Sequence, residues 1–215
     1  LLANLPSQKP LTVLDMGCGY GALGIPIAAH FPEARIEMVD RDLLAAHWSA
    51  INASANKLTN VKAYGSLGFR NIPADAKYDW ILCNVPARIG TPFIKNLMES
   101  AQTHLNPGGE LRVVVINDLC PVMTGMNEIA KGPRHTIFSM AAAANSSKSP
   151  EPADLYLRDT VKISDLTFDR PTDLGGDDQK RLSSGLPVLI DALPRQTISP
   201  PVLCFRAGYG PLTLV

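Results

Sequence analysis

The sequence predicts an α/β fold in which helices flank a mostly parallel β-sheet. Short apolar runs rich in β-branched residues alternate with longer stretches of helical periodicity, as in strands joined by crossover helices. The first apolar run leads directly into three alternating glycines, Gly17, Gly19 and Gly21, before a helical stretch begins. A glycine-rich turn between a first strand and its helix supports the same fold class.

The order of the elements follows from these runs. We predict strands at 11–16, 35–40, 60–64, 79–84 and 110–116, and helices at 20–31, 42–56, 91–105 and 119–130. The string NPGGE, residues 106–110, is expected to end the third helix and start the fifth strand, because proline and glycine interrupt regular structure. RHTIFSM, residues 134–140, is predicted to be a further strand at the antiparallel end of the sheet.

The overall charge gives no strongly basic footprint for nucleic acid. Basic and acidic residues balance to a formal net charge of +0, so any contact with nucleic acid must come from a local face. No apolar run reaches the roughly 20 residues that span a bilayer, and the N-terminus lacks the basic and apolar regions of a secretory signal. We therefore expect a cytoplasmic protein without a membrane partner.

The cysteines are Cys18, Cys83, Cys120 and Cys204. They are widely separated, so their spacing fits neither a zinc site nor a disulfide framework. The histidines also lack the spacing of metal ligands. We expect isolated thiols and no bound metal.

A partial internal repeat predicts a second, shorter domain. LLANLP at residues 1–6 matches LIDALP at 189–194, and VLDMGCGYG at 13–21 is similar to VLCFRAGYG at 202–210. Helix end, proline, strand and glycine loop therefore occur twice in the same order, which favours duplication over chance. The chain also starts at Leu1 without a methionine and ends in an apolar run, so we expect it to be part of a longer tandem protein.

The first glycine loop is a candidate ligand site. Glycines after a strand let the backbone approach a ligand, and the N–H groups of the following helix favour negative charge. The loop also satisfies G-x-G-x-x-A through Ala22, the dinucleotide fingerprint. Asp40 ends the second predicted strand, where it can accept hydrogen bonds from ribose hydroxyls. Dinucleotides and other nucleoside ligands both carry a ribose, so Asp40 does not distinguish between them. Asp15 lies two residues before the first glycine, and its negative charge attracts an ammonium group but repels a pyrophosphate. It therefore favours a ligand with an ammonium group over a dinucleotide.

The strings LDMGCGYG, residues 14–21, and IEMVDRD, residues 36–42, resemble the first two motifs of class I S-adenosylmethionine (SAM)-dependent methyltransferases. The resemblance implies a Rossmann-like, seven-stranded sheet with SAM across the ends of the first strands. It implies that the glycine loop wraps the methionine part, that Asp40 holds the ribose, and that GSLGF, residues 65–69, flanks the adenine. The cofactor-binding residues implied are Asp15, Gly17, Cys18, Gly19, Gly21, Asp40, Arg41, Ser66, Leu67 and Asn84.

The loop after the fourth predicted strand carries the candidate catalytic residues. Asn84-Val85-Pro86-Ala87 resembles the N-P-P-aromatic motif of methyltransferases that act on base nitrogens. In this resemblance Asn84 accepts a hydrogen bond from the acceptor amino group, and Pro86 stiffens the loop. Ala87 departs from the motif, because it has no ring to stack on a base.

The order of the elements resembles that of the small-domain methyltransferases that include tandem-domain ribosomal RNA guanine-N2 methyltransferases. This implies methyl transfer from SAM to a nitrogen acceptor, with RNA, and ribosomal RNA above all, as the partner. Two alternatives stay open, namely a catalytically lapsed scaffold associated with RNA or the ribosome, motivated by Val85 and Ala87, and an NAD-dependent oxidoreductase. The sequence does not indicate the oligomeric state.

The domain boundaries follow from the repeat and from the polar string NSSKSPEPAD, residues 145–154. We predict a methyltransferase domain at 1–144, a linker at 145–158, and the start of a degenerate second copy at 159–215. In that copy Cys204 replaces the acid, and Arg206 places a bulky cation where Gly17 lets the backbone approach the ligand. The second loop is therefore expected not to bind SAM.

Overall fold

The computed structural model describes residues 1–87, 89–143, 155, 157–163 and 166–171. The chain divides into two compact units, Leu1–Pro150 and Glu151–Val215. The elements are β1 Thr12–Met16, α1 Gly24–His30, β2 Arg35–Asp40, α2 Leu43–Ala55, β3 Val61–Gly65, β4 Tyr78–Asn84, α3 Thr91–His104, β5 Leu105–Ile116, β6 Asn127–Lys131, β7 His135–Ala141, β8 Leu157–Ile163 and β9 Leu166–Pro171. Among the described residues, none of the helices has the length and apolar character needed to cross a membrane.

The first unit is built on a seven-stranded sheet with the strand order β3-β2-β1-β4-β5-β7-β6. β1 to β5 pair in parallel, and β7 pairs antiparallel with both β5 and β6. The predicted fold class, a mostly parallel seven-stranded sheet with flanking helices, is confirmed. The antiparallel position of the strand predicted at 134–140 is also observed.

Both faces of the central strands are buried. Val13, Trp80 and Leu82 pack with Ile27 of α1 and Ala53 of α2 in one core cluster. Neighbouring strand residues point to the opposite face, and these are also fully buried, as in Leu14, Ile81 and Leu111. The near-continuous apolar strands seen in the sequence therefore reflect a sheet that is covered on both sides.

The prediction of a helix at 119–130 is wrong. The chain instead forms a short 3-10 helix at Asn117–Val122 and the edge strand β6. Pro121 cannot donate a helical hydrogen bond, and Gly125 has a φ of 85° that no α-helix contains. The following residues then pair with β7, a partner that helical periodicity cannot show.

For the other predicted elements, the predicted and observed boundaries lie within a few residues of each other, with two exceptions. The helix predicted at 20–31 begins only at Gly24, because the glycine loop continues to Gly21 at a φ of 94°. β5 begins at Leu105, ahead of the predicted turn, because this residue pairs with Tyr78.

The second unit contains the antiparallel pair β8 and β9. β8 begins at Leu157, inside the predicted linker 145–158. The second glycine loop, with Cys204 and Arg206, lies outside the described residues. The degenerate second copy therefore stays a prediction.

Candidate active site

The carboxyl ends of the parallel strands bring the main candidate residues to one edge of the sheet. Asp40 of β2 pairs with Gly65 of β3, and Asn84 of β4 pairs with Val114 of β5. Between them, β1 ends one residue before Gly17, in register with the residues that precede Asp40 and Asn84. The glycine loop, the predicted ribose carboxylate and the predicted catalytic amide thus lie along one row, which is where ligands bind in open α/β sheets.

The glycine loop has a backbone conformation that requires its glycines. Gly17, Gly19 and Gly21 have φ values of 74°, 57° and 94°, which side chains with a Cβ rarely adopt. A Cβ built on Gly17 or Gly19 would meet no atom within 4 Å. These two glycines therefore face open space, as a loop that lets a ligand approach its backbone should.

Asp15 lies buried at the base of the loop, with 1% of its surface exposed. Its Oδ2 accepts the Gly24 N–H at 2.8 Å, whereas Oδ1 is buried without a hydrogen-bond partner among the described residues. Burial raises the pKa of Asp15 to about 7, the hydrogen bond from Gly24 opposes this rise, and the charge of Asp40 adds to it. A buried acceptor without a donor is costly, so Asp15 offers a position that a cationic donor would stabilise.

Asp40 is half-buried and connects β2 to the glycine loop. Its Oδ2 accepts the Gly19 N–H at 2.9 Å, and its Oδ1 accepts the Asp42 N–H at 2.9 Å. These two bonds fix the carboxylate beside the loop and leave each oxygen with further acceptor capacity. Asp40 is therefore oriented to accept hydrogen bonds from ligand hydroxyls.

Two polar residues of α2 hold the loop from behind, and the sequence did not reveal them. Ser49 is completely buried and donates from Oγ to the Gly19 carbonyl at 2.9 Å. Asn52 donates from Nδ2 to the Tyr20 carbonyl at 2.9 Å. The available signal was a serine on the core-facing side of the helix, where an apolar residue is the usual choice.

Cys18 is buried behind the same loop. Its Sγ lies 3.4 Å from the Ser49 Oγ. Burial, reinforced by the nearby Asp15 and Asp40 charges, raises the pKa of the thiol to about 12, with the bond from Ser49 opposing the rise. The thiol is therefore protonated near neutral pH and packs in the core behind the loop, whereas a contact of Cys18 with the cofactor stays a prediction.

The loop after β3 carries the residues predicted to flank the adenine. Ser66 donates its N–H to the Asp40 carbonyl at 2.8 Å, and its Oγ donates to the Gly68 carbonyl at 2.7 Å. The side chain is 4% exposed and is used to shape the turn. Leu67 is half-buried and Arg41 is exposed, so of the residues predicted on this side, these two offer side chains to a ligand.

Asn84 is exposed at the end of β4, where a substrate can reach it. The adjoining Val85 is 3% exposed and donates its N–H to the Val114 carbonyl at 3.0 Å, so β5 holds the start of the loop. Pro86 and Ala87 are exposed. Among the described residues, no group of His, Cys, Asp or Glu is arranged to hold a metal ion.

The chain matches a known family over more than half of its length. The family model for the methyltransferase small domain matches residues 1–134. The Bacillus subtilis (strain 168) protein YbxB, described as uncharacterized, is 38% identical over 103 residues, which cover 48% of this chain and 51% of YbxB. Ribosomal RNA small subunit methyltransferase C of Haemophilus influenzae (strain PittGG) is 36% identical over 118 residues, covering 53% of this chain and 35% of that protein.

A solved structure shows the same fold. The T. thermophilus 16S rRNA N2 G1207 methyltransferase RsmC, in complex with AdoMet and guanosine, matches with a TM-score of 0.53 and 23% identity, covering 61% of this chain and 37% of that one. This chain thus spans from about a third to about half of the length of these relatives. The match over residues 1–134 confirms the predicted resemblance, and the chain belongs to the methyltransferase small-domain family of SAM-dependent methyltransferases.

Proposed function

We propose that this chain transfers a methyl group from SAM to a nitrogen acceptor in RNA, of the ribosomal guanine-N2 type. The observation that carries the proposal is the single row formed by Asp40, the glycine loop and Asn84 at one sheet edge. Cofactor residues and a substrate-facing amide are thereby adjacent, which is what a transfer reaction between two bound molecules needs.

The residues of the loop fit SAM. The buried, unpartnered Oδ1 of Asp15 suits the ammonium group of the methionine part. The open space in front of Gly17 and Gly19 gives the ligand access to the backbone, and Asp40 is oriented to accept from the ribose hydroxyls. When bound, SAM supplies a methyl group already activated by its positively charged sulfur.

Asn84 and Pro86 would act on the acceptor. The side-chain oxygen of Asn84 accepts a hydrogen bond from the amino group that is to be methylated. This bond orients the lone pair of the amino nitrogen towards the cofactor side. Pro86 restricts the loop beyond it. Ala87 has no ring and cannot stack on the acceptor base. Groups other than the side chain at position 87 must therefore hold the base.

RNA as the acceptor is supported by the names of the relatives, which include ribosomal RNA small subunit methyltransferase C and ribosomal RNA large subunit methyltransferase G. An RNA substrate of this kind also agrees with action in the cytoplasm. The family match does not favour either alternative, the lapsed scaffold or the NAD-dependent oxidoreductase.

Two measurements test the proposal. Calorimetric titration with SAM should show saturable binding, whereas NADH should not bind. Incubation with methyl-labelled SAM and separated pools of RNA, protein and small molecules should place the label in RNA, and nucleoside analysis should locate it on guanine N2. A folded protein that gives no heat at millimolar SAM contradicts the enzyme proposal, and label that enters only protein contradicts the RNA acceptor.

A further inference from the structure

A groove of about 510 Å³ opens beside Asn84. One wall is formed by Leu1 and Asn4 of the N-terminal segment, and the other by the adjoining ends of β6 and β7 with Lys131 and His135. Its volume lies within the range of about 300 to 1,000 Å³ typical of sites for one small ligand. The groove therefore has room for a single nucleotide, but not for a duplex.

Both walls are held in place. Arg112 of β5 donates to the Asn4 carbonyl and pairs with Glu110, which attaches the N-terminal segment to the sheet. On the other side, the tip of the β6–β7 hairpin, residues 131–135, is attached to the end of β5. The groove is thus a formed feature of the fold.

Asn117 makes this second attachment through four hydrogen bonds. Its Nδ2 donates to the Gly132 carbonyl at 3.2 Å and to the Pro133 carbonyl at 3.3 Å. Its N–H donates to the Arg134 carbonyl at 3.0 Å, and its Oδ1 accepts from the Thr136 hydroxyl at 2.9 Å. The side chains at the tip therefore project from a rigid base.

The ionisable side chains that line the groove are basic. Lys131 and His135 are exposed. Neither side chain forms a hydrogen bond or an ion pair with any residue in the part of the chain that the structure describes. Arg134, between them at the tip, is also exposed. No acidic side chain of the described residues lines the groove, so the hairpin tip presents unneutralised positive charge next to Asn84.

We infer that this groove binds a single-stranded RNA segment, with Lys131 and His135 contacting phosphates that flank the nucleotide presented to Asn84. The inference rests on the proposed function and specifies how its acceptor is held. A lysine ammonium is a compact partner for phosphate oxygens, and such contacts fix the position of a strand without reading its sequence. They also supply the binding that Ala87 cannot provide by stacking.

Fluorescence anisotropy with the full chain and a labelled single-stranded RNA of about ten nucleotides tests this. Lys131→Ala should raise the Kd about three- to tenfold and reduce the slope of log Kd against log salt by about 0.7, the value for one lost phosphate contact on a single strand. Lys131→Glu should weaken binding further. Lys9→Ala is the matched control. Lys9 is exposed just before the start of β1, whereas the groove lies beside Asn84 at the end of β4.

The outcomes separate this inference from the proposed function. SAM affinity, measured by calorimetry, should be the same in Lys131→Ala and in the unmodified chain. If the unmodified chain methylates RNA but Lys131→Ala and Lys9→Ala have the same Kd and salt slope, the groove assignment is wrong and the proposed function stands. If RNA binding depends on Lys131 but no methyl group reaches RNA, the proposed function fails. An acidic peptide that displaces the RNA at equal charge concentration contradicts RNA as the occupant.

Discussion

The two sides of the candidate site share one sheet edge but are held together differently. On the cofactor side, formed by β1 to β3 and the glycine loop, Gly19 bonds to Asp40 and Ser49 supports the loop from behind. On the acceptor side, formed by β4 to β7, Asn84 is exposed, and the hairpin tip is held by its pairing with the end of β5 and by the side chain of Asn117.

This difference indicates that the two sides can be altered separately. Substitutions on the cofactor side remove hydrogen bonds within a compact loop, so they should weaken SAM binding. Substitutions on the acceptor side remove exposed groups that we propose face the substrate, so they should reduce turnover more than they weaken SAM binding. Substituting single residues on each side in turn tests that separation.

Asn84→Ala should have the largest effect. Loss of the acceptor for the substrate amino group should lower kcat about 100- to 1,000-fold, comparable to the loss of one preorganised transition-state hydrogen bond. Methyl transfer to RNA measures this, and calorimetry should show a smaller rise in the Kd for SAM than in Asp40→Ala. Asn84→Asp keeps an acceptor oxygen, so it should retain more activity than Asn84→Ala. Equal loss in both variants contradicts the assigned role.

Asp40→Ala should affect the opposite side of the site. It removes the partner of the Gly19 N–H and the predicted acceptor of the ribose hydroxyls. Hydrogen bonds to a charged group contribute about 2 kcal/mol, so the Kd for SAM should rise about 30-fold. Asp75→Ala is the control, because Asp75 is exposed ahead of β4. An unchanged SAM affinity in Asp40→Ala would place the cofactor elsewhere.

The same contrast explains which features the sequence could predict. The strands β1 to β5, the glycine loop and Asp40 are encoded by adjacent residues, so local patterns were sufficient to place them on one edge. The strand β6 was missed because its pairing with β7 in a hairpin leaves no mark on its own residues, while residues 119–130 have a helical distribution of apolar groups. Ser49 was missed because its role depends on a loop about 30 residues earlier.

Asp15→Asn should change the pH dependence of the cofactor side. The pKa of about 7 in the folded protein lies above the ordinary 3.8, so the folded state retains the proton more strongly than the unfolded chain. The contribution to stability is thus largest at low pH and is lost as pH rises from about 4 to about 7, by up to about 4 kcal/mol. Asp15→Asn should remove this loss, and urea unfolding at about pH 5 and pH 8 measures the difference.

SAM binding should change in the opposite direction. Between about pH 6 and pH 7.5, Asp15 becomes ionised while an α-amino group stays largely protonated. The Kd for SAM should therefore fall about fivefold over this range in the unmodified chain. In Asp15→Asn, SAM should bind about tenfold more weakly at pH 7.5, with a flat pH profile. A flat profile in the unmodified chain contradicts an ammonium partner for Asp15.

Ser49→Ala should have the smallest effect, and it tests whether α2 positions the loop. The variant removes the bond from Oγ to the Gly19 carbonyl, a neutral hydrogen bond that contributes about 1 kcal/mol. Because the ligand would meet the loop from the other side, the Kd for SAM should rise about threefold to fivefold, with kcat at saturating SAM unchanged. Ser54→Ala, at an exposed position on the same helix, is the matched control. If Ser49→Ala lowers the free energy of unfolding but leaves the Kd for SAM equal to that of Ser54→Ala, Ser49 stabilises the helix packing alone and does not position the cofactor loop.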